Sequence, residues 1–363
     1  MGREILILRE QEILELLDPA ACIAAMEQAF AAYSSGRAEL PSVIHLDVPE
    51  HRGEIHVKAG HIHGGPYYAV KMVSGFLGDI ELGLPANDGM VVAFDASTGA
   101  PAAFLLDNGL ITDLRTAAAG ALAAKHLARR EVRRVAVIGT GGQARYQMEM
   151  LAQVRPFREL KIWGRNRDKA RTRMEDLEQR GNLPADCHVS VAETVAETVE
   201  ASDIVVTVTA SRAPLVRAEW LKPGVTVIAV GSDAPDKQEL DVDVLARADR
   251  IVADSLPQCL RLGEIHHAVE KGAIAKEKAS DELGEIVSGQ KPGRVSENEI
   301  IVCDLTGVGV QDVAAACLSR YESPQQLPSC AELALSGSPQ RLRIALPTQH
   351  FAASHGPGRQ RHR

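Results

Sequence analysis

Residues 134–144 read RVAVIGTGGQA, a β-branched apolar run that breaks into three glycines and opens a stretch rich in Gln, Met and Ala. A strand, a glycine turn and a helix in that order form a G-x-G-x-x-A dinucleotide turn. Gly139 makes the tight turn, Gly141 lets a pyrophosphate approach bare backbone at the helix N-terminus, and Ala144 lets the helix pack closely on the strand. That chemistry calls for a nicotinamide or flavin nucleotide. Three charged residues in apolar or turn settings accompany it. Lys71 lies in YYAVKMV, where a lysine either snorkels to the strand edge or meets a bound anion. Arg115 precedes an alanine-rich apolar helix, near its N-terminus, where the helix dipole disfavours a cation, so it serves either a ligand or a partner carboxylate. Asp233 follows a strand ending in Val230-Gly231, where α/β sheets present catalytic groups beside a dinucleotide; the other reading is a cap of the turn before Pro235.

Together these residues are the minimum equipment for adding hydride to a C=N carbon: an acid near the imine and a cationic anchor for an α-carboxylate. Past the second strand, where NAD sites usually present Asp or Glu to the ribose 2′-hydroxyl, the chain reads IWGRNRDKA. Gly164 takes the acidic position, with Arg165 and Arg167 beside it. Guanidinium pairs bidentately with a 2′-phosphate, so the expected cofactor is NAD(P)H with a lean toward NADP. His56, His61 and His63 form an H-x-K-x-x-H-x-H cluster, but neighbouring strand positions face opposite ways and no cysteine or carboxylate completes a tetrahedral set. No metal is expected there, and His266-His267 reads as helix surface or a structural contact.

The elements that must hold these groups fall into three parts. Up to residue 130, a helix after Asp18-Pro19, ended by Gly36, precedes period-two segments such as SVIHLDV, EIHVKAG, YYAVKMV and GMVVAFD, a mixed or antiparallel sheet. Strand and helix then alternate over 131–305, predicting an α/β fold with a doubly wound parallel sheet of Rossmann type. Residues 306–321, TGVGVQDVAAACLSRY, read as a glycine turn and a helix returning to the first part, and the Pro-, Ser-, Gln- and Arg-rich 322–363 as a disordered tail.

A length of 363 residues with 45% hydrophobic content suits a two-domain globular enzyme. A net charge of -8 argues against nucleic acid or an anionic membrane as the main partner. Six scattered cysteines (Cys22, Cys187, Cys259, Cys303, Cys317, Cys330) contain no C-x-x-C pair and read as reduced thiols, mostly core filler. Without a long apolar run or a secretory signal, the expected location is the cytoplasm.

AVKMVSG, GLPANDGMVVAFDASTGAP, LITDLRTAAAGALAAKHLA, VAVIGTGGQA, IVVTVTAS, VGSDAPDKQELD and IVCDLTGVGVQD, in that order across nearly all of residues 1–321, resemble the ornithine cyclodeaminase/mu-crystallin family. LDVPEHRGEIHVKAG and LPQCLRLGEIHHAV are most similar to its branch associated with ectoine utilization and iminosuccinate reduction. The resemblance implies a homodimer whose substrate and dimerisation domain (1–130 and 306–321) sits beside the Rossmann domain. It also implies roles. Lys71 contacts the substrate carboxylate, Arg115 lies between that carboxylate and the cofactor, Asp233 moves protons or activates water, and Lys237 contacts cofactor. Gly142 and Gln143, with Thr140, fall on the phosphate loop, Thr207 and Val230–Ser232 on the nicotinamide side, and Leu305 and Thr306 near the reacting carbon.

Two departures bear on substrate. His45 stands where many members carry an arginine for a carboxylate. Lys58 stands where cyclodeaminases hold a glutamate for ornithine's distal amine, and a cation there repels ornithinium and attracts a second carboxylate. The expected reaction is reduction of iminosuccinate to aspartate. Ornithine cyclodeamination, cyclic ketimine reduction and a non-catalytic mu-crystallin-like binding role are the alternatives.

Overall fold

The computed structural model describes residues 3–76, 78–85, 87–321 and 342–344. Strands β1 (Arg3–Arg9), β2 (Ala38–Glu39), β3 (Ile44–Val48), β4 (Gly53–Ile62), β5 (Tyr67–Phe76), β6 (Asn87–Asp95) and β7 (Pro101–Leu106) form the first sheet. They run in the order β1-β7-β6-β5-β4-β2, with β3 also on β4. Every pair is antiparallel except β1 with β7. Of the tail, Leu342–Ile344 is a short strand antiparallel to β1, where the sequence predicted disorder; 322–341 and 345–363 lie outside the described residues.

Register decides which side chains share a face. His45 pairs with His56, Asp47 with Glu54, and Lys58 with Lys71. With side chains alternating at period two, all six stand on one face of this sheet. The opposite face carries the apolar row Ile44–Val57–Met72, again in direct register.

The second sheet is built from β8 (Arg134–Ile138), β9 (Glu159–Trp163), β10 (His188–Val191), β11 (Ile204–Thr207), β13 (Thr226–Ala229), β15 (Arg250–Ala253), β16 (Ala279–Glu282) and β17 (Ile301–Asp304). A separate parallel pair, β12 (Arg212–Val216) with β14 (Gln238–Leu240), lies outside it. The order β10-β9-β8-β11-β13-β17-β15-β16 is parallel throughout and reverses beside β8. A doubly wound sheet opens its crevice at that reversal.

Helices join the two sheets. Asp18 caps the helix Pro19–Ser34 by accepting from the Ala21 N–H at 3.0 Å, with proline at the first helical position, where its missing N–H has no partner to lose. The alanine-rich helix Leu110–Leu127 is buried along most of its length, because methyl side chains let it pack against both neighbours. Arg115 lies within it, in the second turn, rather than ahead of it. After β17 the chain crosses to the first sheet as the helix Gly309–Tyr321, which packs on Pro19–Ser34 and on β4 and β5. A side chain at Gly309 would meet the Ala59 carbonyl at 2.8 Å, so only glycine permits this approach. Apolar residues of both sheets and these helices merge into one large core, with a second cluster under the far side of the parallel sheet.

Candidate active site

Three cavities, of about 570, 300 and 650 Å³, run end to end from the glycine turn to the first sheet. The first shares Val208, Thr209 and Ala210 with the second. The second shares Lys58, Asn87, Thr112, Asp113, Arg115 and Asp233 with the third. An extended ligand with a small molecule at one end fits such a cleft.

Gly139, Thr140, Gly141, Gly164 and Arg165 line the first cavity. Gly139 has φ +128°, and a side chain there would meet the Val208 carbonyl at 2.7 Å, so the turn demands glycine twice over. Gly141 has open space where a side chain would stand, and the next residue opens the helix Gly142–Val154, leaving backbone N–H groups toward a phosphate. These features fit a dinucleotide. A side chain at Gly164 would collide with the Thr140 methyl, so no carboxylate can occupy that position without rearrangement. Arg167 is taken up by Glu193 at 2.6 Å, whereas Arg165 and Lys169 line the cavity.

Gln143, Val230, Gly231, Lys237, Leu305 and Thr306 line the second cavity. Gln143 donates to the Asp113 carboxylate at 2.9 Å, tying the phosphate helix to Leu110–Leu127. Four residues expected at the cofactor, Gly142, Ala144, Thr207 and Ser232, do not line any of the three cavities. Ala144 is fully buried where helix meets strand. Thr207 donates to Glu239 Oε2 at 2.7 Å, and Ser232 donates to the Lys237 carbonyl, so both brace the wall from behind. Glu239 also accepts from the Thr209 and Gly231 N–H groups, joining two strand ends that frame the cavity.

The third cavity holds the charged cluster. Lys71 is 2% exposed; its Nζ donates to Asp312 Oδ1 at 2.8 Å and to Thr112 Oγ1 at 3.3 Å. Arg115 Nε donates to the same Asp312 oxygen at 3.1 Å, and Gln311 Oε1 accepts from its Nη1. Asp312 therefore supplies the partner carboxylate that a cation early in a helix requires. Its Oδ2 is buried with no hydrogen-bond partner. Lys58 Nζ donates to the Gly307 carbonyl at 3.0 Å.

Burial pushes the Lys71 ammonium down to about 7, against the pull of Asp312 and with Arg115 and Lys58 adding to the depression. Burial and Arg115 likewise lower Lys58. Burial alone would raise Asp312, but Lys71, Arg115 and Lys58 outweigh it and hold the carboxyl below its ordinary range. Two lysines directly opposed across antiparallel strands repel one another. Asp312 offsets part of that charge, and Glu10, Glu54, Asp88, Asp113 and Asp233 stand around the rest of the cavity wall.

Asp233 is exposed and pairs with Lys237 Nζ at 2.6 Å at the junction of the second and third cavities. His45 does not line the cavity: it sits on exposed β3, its Nδ1 3.4 Å from His56 Nδ1. His56 does line it, while His61 and His63 turn to the Tyr67 carbonyl and to Glu39, so the three do not converge. His267 meets the Lys237 carbonyl at 2.8 Å, a structural contact. The five cysteines among the described residues are free, with Cys22, Cys259 and Cys303 buried; Cys330 lies outside those residues. No helix among the described residues is long and apolar enough to cross a membrane.

Sequence reasoning missed Asp312, although its motif was visible, because nothing local marks a helix Asp as the partner of a lysine 241 positions earlier. It also missed Thr112, Gln311 and the brace Glu239.

The family model of the ornithine cyclodeaminase/mu-crystallin family matches residues 3–324. An uncharacterized cyclodeaminase of Sinorhizobium fredii is 44% identical over 86% of this chain and 94% of its own length. The alanine dehydrogenase of Archaeoglobus fulgidus is 37% identical over 86% and 93%. Among solved structures, an archaeal alanine dehydrogenase dimer with bound NAD superposes with TM-score 0.83 at 34% identity, covering 94% of this chain and all of that one. The Thermococcus litoralis Δ1-pyrroline-2-carboxylate reductase with NADH and L-proline gives 0.82 at 29%, over 87% and 96%. The Paracoccus denitrificans iminosuccinate reductase with NAD+ gives 0.81 at 30%, over 94% and 100%.

Proposed function

The chain belongs to the ornithine cyclodeaminase/mu-crystallin family and is an oxidoreductase of imino or amino acids that uses a nicotinamide nucleotide; from that premise we propose that it reduces iminosuccinate to aspartate. The observation that carries the substrate is Lys58, directly beside Lys71 and lining one cavity with Arg115, while Asp312 is engaged by Lys71 and Arg115 and leaves Lys58 without a carboxylate hydrogen bond. A distal carboxylate is attracted to Lys58; the distal ammonium of ornithine is repelled by it. This reading puts the chain with the iminosuccinate-reducing, ectoine-utilization branch.

The nucleotide supplies hydride to the imine carbon. Arg115 and Lys71 hold the α-carboxylate, Lys58 holds the distal one, and Asp233 accepts hydrogen bonds from the nitrogen as an ion-paired carboxylate. Lys71, depressed to about 7, hands a proton toward that nitrogen at neutral pH and recovers it from solvent. The cofactor preference is NADPH over NADH, supported by Arg165 and Lys169 at the adenosine end and by the space the Thr140 methyl denies an acidic residue. A homodimer is supported by the archaeal relative's dimer and by the apolar row on the uncovered face of the first sheet, where Ile44, Leu46 and Met72 are 63%, 57% and 39% exposed.

The test is reduced-cofactor oxidation by the purified protein with oxaloacetate plus ammonia, pyruvate plus ammonia and pyrroline-2-carboxylate, each with NADH and NADPH, beside ornithine-dependent ammonia release. Oxaloacetate plus ammonia with NADPH gives the highest kcat/KM and yields aspartate. The 37% likeness to an alanine dehydrogenase makes the pyruvate imine the second reading, and preference for pyruvate would establish it. Ammonia release from ornithine would overturn both.

A further inference from the structure

On the cavity face of the β3–β4 hairpin, His-x-Asp on one strand lies against Glu-x-His on the other, through the register pairs His45–His56 and Asp47–Glu54. His45 Nε2 meets Asp47 Oδ1 at 3.0 Å, and His56 Nε2 lies 3.6 Å from Glu54 Oε2. A carboxylate only accepts, so Asp47 holds the His45 proton on Nε2 and turns its Nδ1 lone pair toward His56, whereas 3.6 Å is too long for a hydrogen bond and leaves Glu54 free. The two Nδ1 atoms face each other 3.4 Å apart, a gap that either a His56 Nδ1–H or a metal ion bridges.

The arrangement has the dimensions of a metal site. Zinc bound by two ring nitrogens at about 2.0–2.1 Å holds them roughly 3.3–3.4 Å apart in a tetrahedron. Ligating histidines usually present the opposite N–H to a carboxylate, which orients the ring and raises its basicity. One ligand atom each from His45, Glu54 and His56 lies within 4.8 Å of the others, the only such group of three among the described residues.

We propose that His45 and His56, through Nδ1, and Glu54, through a carboxylate oxygen, bind a divalent transition-metal ion of the zinc type at the mouth of the substrate cavity, with Asp47 orienting His45. Glu54 and His56 line that cavity, so the bound ion places positive charge at its open side, on the strand that carries Lys58. Water or an incoming carboxylate completes the coordination sphere. The site is independent of which imine the enzyme reduces.

The probe is Co2+, whose visible d–d absorption reports tetrahedral nitrogen and oxygen ligation, with Zn2+ displacing it in a competition titration of the full chain. One Co2+ per subunit binds and is displaced by Zn2+. His45→Ala and His56→Ala each abolish the absorption, and Asp47→Asn weakens binding about tenfold. His45 is exposed, so His45→Ala keeps the fold, which its unchanged circular dichroism will document. Absence of the absorption in the parent protein at tenfold excess metal would overturn the proposal in favour of a proton shared between the rings. Retention in both histidine variants would overturn it in favour of ligation elsewhere, at Cys187 or Cys317.

Discussion

Replacing Lys58 by methionine separates the two carboxylate contacts that the substrate assignment requires. The Nζ donates to the Gly307 carbonyl, but Gln258 Nε2 donates to the same oxygen at 3.0 Å, so no buried acceptor is orphaned. Methionine also ends the repulsion between Lys58 and Lys71, directly opposed in register. Stability therefore stays level or rises slightly. What is lost is the charged hydrogen bond to the distal carboxylate, about 1.5–3 kcal/mol net. At about 1.4 kcal/mol per factor of ten, that predicts roughly 10- to 150-fold lower kcat/KM for oxaloacetate plus ammonia. The pyruvate imine has no distal carboxylate and keeps its kcat/KM within about threefold, because each contact it makes survives. The assay is initial-rate oxidation of NADPH with both keto acids at saturating ammonia. An equal fall on both substrates would mean that Lys58 serves the site as a whole, and no fall on either would remove it from substrate binding; both results refute the reasoning.

The depressed Lys71 gives a pH signature: imine reduction falls as pH rises through about 7, where the proton is lost, and Lys71→Arg, which holds its proton, flattens that limb; an unchanged limb in the variant excludes Lys71 as the donor. Because the unfolded chain keeps a lysine protonated up to its ordinary 10.5, it binds more protons than the native state between about 7 and 10.5. This residue therefore contributes stability that grows with pH across that window, measurable as a rising urea midpoint that Lys71→Met levels. Asp312→Asn strips Lys71 and Arg115 of their shared carboxylate and destabilises the protein by about 3–5 kcal/mol, with an unchanged urea midpoint as the contrary result. Arg165→Glu reverses the preference for NADPH by opposing the 2′-phosphate, which the ratio of kcat/KM values for the two cofactors reads directly.

The two sheets were legible because period-two alternation and the strand–glycine–helix order are local. Lys71 could be flagged because a charge in an apolar run is anomalous by itself, Arg115 because a cation near a helix N-terminus is disfavoured, and Lys58 only through the family resemblance, at the position where cyclodeaminases hold a glutamate. What each of them meets was not legible, since Asp312 arrives from a helix that crosses from the other sheet. Thr207 and Ser232 sit at strand ends beside the cavity, but a sequence cannot say on which side of a strand end a hydroxyl finds its partner; Glu239 and the Lys237 carbonyl decided that. The histidines show the same limit. His56, His61 and His63 are neighbours in sequence, yet hairpin register gives His56 to His45 and leaves the other two separate. Strands β10 and β16 and the β12–β14 pair escaped notice because HVSV, ASDE, RAPLV and QEL lack the near-continuous apolar run that marks the central strands of a parallel sheet.

The helix Gly309–Tyr321 crosses back to a sheet whose strand β7 ended some two hundred residues earlier. On the ribosome, Lys71 and Arg115 emerge long before Asp312, so the nascent first sheet carries two cations whose burial has no counter-charge. The pairs β8–β9 and β9–β10 can condense meanwhile, since contacts close in sequence form first, whereas β13 and β15 wait for β17. Completion of the substrate half must then wait for nearly the whole chain. A polypeptide ending between residues 307 and 312 holds every strand of the parallel sheet but leaves its charged cavity without Asp312, so the order of synthesis itself withholds an amino-acid site from incomplete copies.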